Sequence, residues 1–285
     1  MRNVAGIDVG TGFTKAVVIS SGGIGERPTI IGRGLSKTGV NLEEAAERAL
    51  AGALEEAQLE SAQVSYIATT GFGRYSVSFR DIQITEITSG ARAAYFLYPQ
   101  TTAVLDIGAQ STRAISLKEN GKVRVFKTND KCAAGSGSFI VRAAKYLQID
   151  INDVGELALK ATSAQPISSV CAVLAESEII NHVSAGVGIE DILRGIYDSL
   201  ADRAMMLLKR AGAGDEVSFI GGVATQRGMV KALEDRLGTK IHVPRHTEYV
   251  CALGAALLGL KRLEVIVQPP INEDRITSMA RADFD

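Results

Sequence analysis

Residues 8–19 read DVGTGFTKAVVI, and residues 106–117 read DIGAQSTRAISL. Laid over one another at an offset of 98 residues, they superpose Asp8 on Asp106, Gly10 on Gly108, Thr14 on Thr112, Lys15 on Arg113 and Ala16 on Ala114. Each copy is an apolar run, an Asp, a glycine turn and a returning apolar run, the pattern of a β-hairpin with little side-chain bulk at its tip. One such turn is as readily structural as functional. A second copy in register favours function, because two facing turns can donate backbone amides to a polyphosphate. An Asp at each strand end suits a hydrated Mg²⁺, which takes a few carboxylates and keeps most of its waters.

A third feature follows at residues 219–230, FIGGVATQRGMV: a β-like run, a double glycine and a helix-like segment. Such a corner lets a nucleoside or a phosphate lie against bare backbone and a helix N-terminus. A run of small residues, Ala252-Leu-Gly-Ala-Ala-Leu, comes after it.

In this order the hairpins, the corner and the small-residue helix resemble the actin, sugar kinase and Hsp70 ATPase superfamily. The resemblance covers residues 4 to 262. It implies a two-lobed α/β fold built from duplicated ribonuclease H-like domains. The first lobe is expected at 1–97, the second at 98–250, a C-terminal helix near 252–264 packing back on the first, and an extended tail at 265–285 that contains Pro269-Pro270. It also implies catalytic roles for Asp8 and Asp106 with ATP and Mg²⁺. The implied nucleotide-binding residues are Gly10, Thr11, Gly12, Lys15, Gly108, Gln110, Gly221, Gly222 and Glu248.

The bulk numbers exclude several classes. With 31 Lys plus Arg against 32 Asp plus Glu, the net charge of −1 offers no general attraction to nucleic acid or to an anionic membrane. The longest apolar run, VCALGAALLGL at 250–260, is too short to span a bilayer. No apolar stretch precedes the strand-like MRNVAGIDVG, so a cytoplasmic location is expected. The three cysteines, Cys132, Cys171 and Cys251, are too few and too widely spaced for a disulfide framework.

Each cysteine by itself reads as a small buried hydrophobe, and two thiolates do not complete a tetrathiolate site. A second chain across a two-fold axis would supply the other two. The contexts narrow the choice. NDKCAAGSGSF around Cys132, SSVCAVLAESE around Cys171, ATTGFGR at 68–74 and the Phe219 corner are similar to one family. It comprises the activator ATPases of 2-hydroxyacyl-CoA dehydratases and the related ATP-hydrolysing subunits of benzoyl-CoA reductase. The resemblance implies that Cys132 and Cys171 ligate one [4Fe-4S] cluster shared with a partner chain. That partner would be a paralogous ATPase subunit or a second copy. Ferredoxin would donate the electron, and acyl-CoA-binding reductase subunits would receive it. Residues 71–85, Ser89-Gly-Ala-Arg and the tail look most like the shorter ATPase subunit of benzoyl-CoA reductase. A homodimeric dehydratase activator is the alternative within the family, and a kinase or regulatory ATPase without a cluster is the alternative outside it.

Three positions depart from expectation or stay open. The family's second turn commonly carries another Gly and a terminal Asp, where this chain has Ala109 and Ser111. Arg74 suits a contact with phosphate or with the interlobe linker, and equally a structural ion pair. Cys251 reads as packing of the small-residue helix, Glu176 and Glu178 as one helix's solvated or interlobe residues, and His182, His242 and His246 as surface or loop residues without ligand spacing.

Overall fold

A computed structural model describes residues 1–129, 136–168 and 172–267. The repeat seen in the sequence becomes two antiparallel meanders. In the first, β1 (Arg2–Val9), β2 (Phe13–Ser21) and β3 (Thr29–Lys37) pair in succession, Asp8 opposite Lys15. Asn41 then caps α1 (Leu42–Ala57), its side chain accepting from the Glu44 amide as expected of Asn at an N-cap. β4 (Val64–Thr70) adds in parallel beside β1, followed by the short β5 (Ile82–Gln83), which gives the order β3-β2-β1-β4-β5.

Helix α2 (Glu86–Leu97) carries the chain to the second sheet. There β6 (Ala103–Ile107), β7 (Thr112–Leu117) and β8 (Val123–Asn129) repeat the meander, Asp106 opposite Arg113. Helices α3 (Gly137–Tyr146), α4 (Val154–Ala158), α5 (Ala172–Ser184) and α6 (Ile189–Arg210) follow. β9 (Val217–Ile220) then joins β6 in parallel, giving β8-β7-β6-β9. Helices α7 (Arg227–Leu237) and α8 (Val250–Val267) close the described chain.

Strand alternation sorts the apolar residues into layers. Ala5, Ile7, Val9, Ala16 and Val18 face α1 on the outside of the first sheet. Leu105, Ile107 and Ala114 face α3, α6 and α7 on the outside of the second. The inward positions, among them Val4, Val17 and Ile19 of one sheet and Val104, Ile115 and Ile220 of the other, share a central core with α2 and α8. Helix α8 packs on β1, β2 and β4, and α2 lies between it and the second sheet. The approach is close: a Cβ on Gly6 would lie 2.0 Å from the Ala252 carbonyl oxygen, and one on Gly254 1.8 Å from that of Ser89. The small residues of α8 are therefore a packing device.

The end of α8 differs from the expected tail. The helix continues through Val265, Ile266 and Val267, since no glycine or proline interrupts the sequence from Glu264 to Val267. Residues 268–285 lie outside the described residues. Among the described residues, no helix is long and apolar enough to cross a membrane.

Candidate nucleotide cleft

Strands β1 and β4 in one sheet, and β6 and β9 in the other, end at the same cleft, the position where open α/β sheets take their ligands. It measures about 710 Å³. Asp8, Gly10, Thr11, Gly12 and Lys15 line it from one side, and Asp106, Gly108, Gln110, Gly221, Gly222 and Glu248 from the other. Every nucleotide-site residue expected from the sequence is therefore brought to one place. Cys132 and Cys171 lie outside the described residues.

Two arrangements hold the hairpin tips. In the first turn, Thr38 donates from Oγ1 to the Gly10 carbonyl at 2.7 Å and from its amide to the Gly12 carbonyl at 3.2 Å. In the second, the Gly108 amide donates to the Ser111 carbonyl at 2.9 Å. The first amides of α3 then reach back, Gly137 N to Gly108 O at 2.9 Å and Ser138 N to Ala109 O at 2.8 Å. The tips face one another, since a Cβ on Gly12 would stand 3.2 Å from the Ala109 methyl. A Cβ on Gly10 would stand 3.2 Å from Lys15 Nζ. Glycine at both places keeps the gap between the turns, and the ammonium beside it, open to a phosphate.

The charges repeat as the backbone does. Lys15 Nζ lies 3.2 Å from Asp8 Oδ2, and Arg113 Nη1 lies 3.0 Å from Asp106 Oδ2. Burial works against the Lys15 charge, but Asp8, with Asp106 behind it, more than compensates and the ammonium pKa rises. At Asp106 burial is the largest influence and raises the carboxyl; Arg113 opposes it and nearby Asp8 adds to it. Two carboxylates, one from each sheet, thus stand close enough to influence each other, and each has its own fixed cation.

The structure also shows a second repeat that the sequence reading missed. Gly71 after β4 has φ +92°, and Gly221 after β9 has φ +91°. A Cβ on Gly71 would lie 2.5 Å from Val9 O and 2.6 Å from Asp8 Oδ1; one on Gly221 would lie 2.5 Å from Ile107 O and 2.6 Å from Asp106 Oδ1. Each thus presses bare backbone against the strand end carrying an Asp, in a conformation that favours glycine. The available signal was a glycine directly after a strand in both ATTGFGR and FIGGVAT. The Gly221 amide also donates to Thr247 O at 3.2 Å, which hangs the Glu248 turn over the corner.

Glu86, the first residue of α2, was not anticipated either. It lines the cleft and pairs with Arg74 at 3.3 Å and Arg113 at 3.1 Å. Arg74 therefore makes an ion pair, and its partner sits on α2, the helix that links the two sheets. Cys251 packs in the first turn of α8, buried, with its side of the helix reaching the cleft base. His182 is half-buried with its Nε2 3.3 Å from the Pro166 carbonyl oxygen, His246 is exposed, and His242 stacks on Tyr98 and contacts Glu216 at 2.7 Å. Glu176 lies 3.1 Å from Arg142, which ties α5 to α3.

Known proteins agree with this architecture. Residues 5–259 match the BadF/BadG/BcrA/BcrD ATPase family. The chain is 39% identical over 252 residues to the activator of lactoyl-CoA dehydratase of Anaerotignum propionicum, covering 88% of this chain and 95% of that one. It is also 39% identical over 279 residues to one of the subunits of benzoyl-CoA reductase from Thauera aromatica, covering 94% and 96%. Its fold is similar to the activator of 2-hydroxyisocaproyl-CoA dehydratase from Clostridium difficile with bound ADPNP, at a TM-score of 0.86 and 34% identity, covering 94% and 99%. A duplicated two-sheet fold of the actin, sugar kinase and Hsp70 type, matched over residues 5–259, makes this chain a member of the BadF/BadG/BcrA/BcrD ATPase family.

Proposed function

We propose that the chain hydrolyses ATP in this cleft and couples hydrolysis to the delivery of a low-potential electron from a [4Fe-4S] cluster shared with a partner chain. The observation that carries the reading is the cleft: two glycine turns from two sheets, each with an Asp and a cation, facing across one gap. The turns and the Gly221-Gly222 corner would hold the phosphates and nucleoside, with Lys15 beside the phosphates. Asp8 and Asp106 would orient Mg²⁺ and its waters.

Cys132 and Cys171 would hold the cluster, with the matching pair on the partner. Two thiolates are half of a tetrathiolate set. The flanking elements support their joint use: Cys132 precedes α3 and Cys171 precedes α5, and these helices pack together through the Arg142–Glu176 pair. The cluster, when bound, supplies one-electron chemistry at low potential. This chain's own part is mechanical. Helix α3 begins on the second turn through the Gly137 and Ser138 amides, so a phosphate that moves the turn moves α3 with it. Such a two-state element biased by a ligand is the common form of a nucleotide switch.

Within the family we favour the ATP-hydrolysing subunit of a benzoyl-CoA reductase, with a paralogous ATPase subunit as partner, ferredoxin as donor and acyl-CoA-binding subunits as acceptor, in the cytoplasm. At equal identity, the reductase subunit matches 94% of this chain and the lactoyl-CoA dehydratase activator 88%. The likeness to a solved dehydratase activator at 99% of that protein's length favours the second reading, a homodimeric activator.

Anaerobic purification from the native operon, with iron analysis, electron paramagnetic resonance and identification of the co-purifying chain, tests these readings. Expected are four irons per dimer, a reduced-cluster signal lost in Cys132→Ser and in Cys171→Ser, and a paralogous partner. A homodimer would move the assignment to the activator branch. A protein without iron would leave a kinase or regulatory ATPase, and a signal surviving both substitutions would overturn the assignment of the cluster to Cys132 and Cys171.

A further inference from the structure

Glu86 stands where the chain crosses from one sheet to the other, between β5 and β6. It is N1 of α2 behind the Thr85 cap, a place where a carboxylate is favoured by the helix dipole. Its two oxygens serve different halves of the molecule. Oε2 accepts from Arg74 Nη1 at 3.3 Å, and the same Nη1 donates to the Gly71 carbonyl at 2.9 Å. Oε1 accepts from Arg113 Nη2 at 3.1 Å, while Arg113 Nη1 donates to Asp106 at 3.0 Å. One carboxylate thus holds both the Gly71 corner, pressed against Asp8, and the cation on Asp106. The side chains of Glu86, Arg74 and Arg113 are 16%, 20% and 18% exposed, so solvent screens them little.

The chain of contacts explains the one charged exchange between the repeats. Lys15 serves Asp8 alone, and an ammonium suffices. Arg113 serves Asp106 and Glu86 at once, which takes a planar fork with separate donors. We propose that Glu86 is a positioning residue that ties the two halves of the cleft together, setting the Gly71 corner and the Asp106–Arg113 pair in one geometry for hydrolysis. The proposal rests on the nucleotide reading of the cleft. It gives Glu86 no contact with the reacting atoms: it acts through the two arginines.

The test is steady-state ATP hydrolysis by the whole complex carrying Glu86→Gln, Arg74→Ala or both. Glutamine keeps the shape and cannot accept from two arginines equally. In Glu86→Gln, kcat is expected to fall by roughly 10- to 100-fold while KM for ATP stays near the wild-type value, since the glycine turns and Lys15 are untouched. Arg74 does not line the cleft, yet Arg74→Ala is expected to lower kcat in the same way and to add nothing in the Glu86→Gln background. A wild-type kcat in Glu86→Gln overturns the proposal. So does a wild-type kcat in Arg74→Ala, which would mean that Glu86 does not tie the Gly71 corner to the Asp106–Arg113 pair, or additive losses in the double variant. If Glu86→Gln does not fold, Arg74→Ala decides alone by the same criterion. A wild-type complex that neither binds ADPNP nor hydrolyses ATP removes the cleft reading and this proposal with it, whereas normal hydrolysis with an unaffected Glu86→Gln removes only the positioning role.

Discussion

The Cys251 thiol sits in the first turn of α8, where burial raises its pKa well above the ordinary cysteine value. The Asp106 and Asp8 carboxylates push in the same direction, while Arg113 and Lys15 oppose them. The folded chain therefore holds this proton more tightly than the unfolded chain, whose thiol titrates at about 8.5. The stability that the neutral thiol contributes is complete below that value and is lost as the pH rises through the folded pKa. Melting temperature is expected to fall more steeply in wild type than in Cys251→Ala between about pH 8 and about pH 10. Parallel curves would show that the thiol does not titrate as its surroundings dictate. Native Cys251 is also expected to resist iodoacetamide at about pH 8, because the thiolate is the nucleophile.

At the scale of elements, two helical glycines have opposite roles. Gly254 of α8 faces α2 so closely that an added methyl would stand 1.8 Å from the Ser89 carbonyl oxygen, and neither backbone can yield without moving a helix. Gly52 of α1 has only Gly34 Cα near its missing methyl, at 3.5 Å, an ordinary contact. Gly254→Ala is expected to destabilise by about 1–3 kcal/mol, as overpacking does. Gly52→Ala should stabilise by up to about 1 kcal/mol through helix propensity. Urea midpoints of the two variants, measured side by side, check both signs, and a common sign would refute the packing argument. The contrast also marks what the sequence could convey. Features carried by local pattern were readable: the two Asp-glycine turns and the small-residue run of α8. The matched Gly71 and Gly221 corners and the role of Glu86 were not, because each depends on contacts between segments far apart in the chain. Arg74 stayed open for the same reason, since its partner Glu86 lies 12 residues away in another element. Helix α8 outran its expected end because no local breaker stops it before Pro269.

The whole molecule is joined by the core that α2 and α8 build between the sheets, in which Val4, Val17 and Ile19 of one sheet pack in one cluster with Val104, Ile115 and Ile220 of the other. Neither sheet can lose its inner face without exposing that cluster, so thermal unfolding is expected as a single transition. The nucleotide should strengthen the same unit. A ligand that binds only the folded chain at about 100 times its Kd adds about 2.7 kcal/mol. With a melting shift of about 2 °C per kcal/mol for a chain of this size, ADPNP should raise the midpoint by roughly 5 °C. The lever for testing this is Gly12, whose missing Cβ leaves the gap in front of Ala109. A branched side chain in Gly12→Val fills the space between the two turns at the surface of the cleft, leaving the shared core untouched. Its midpoint without nucleotide is therefore expected close to wild type, and its ADPNP-dependent shift should vanish. Calorimetry with and without ADPNP distinguishes the alternatives. Two resolved transitions, only one of them moved by ADPNP, would mean that the sheets unfold separately and that the nucleotide is gripped by one side of the cleft alone.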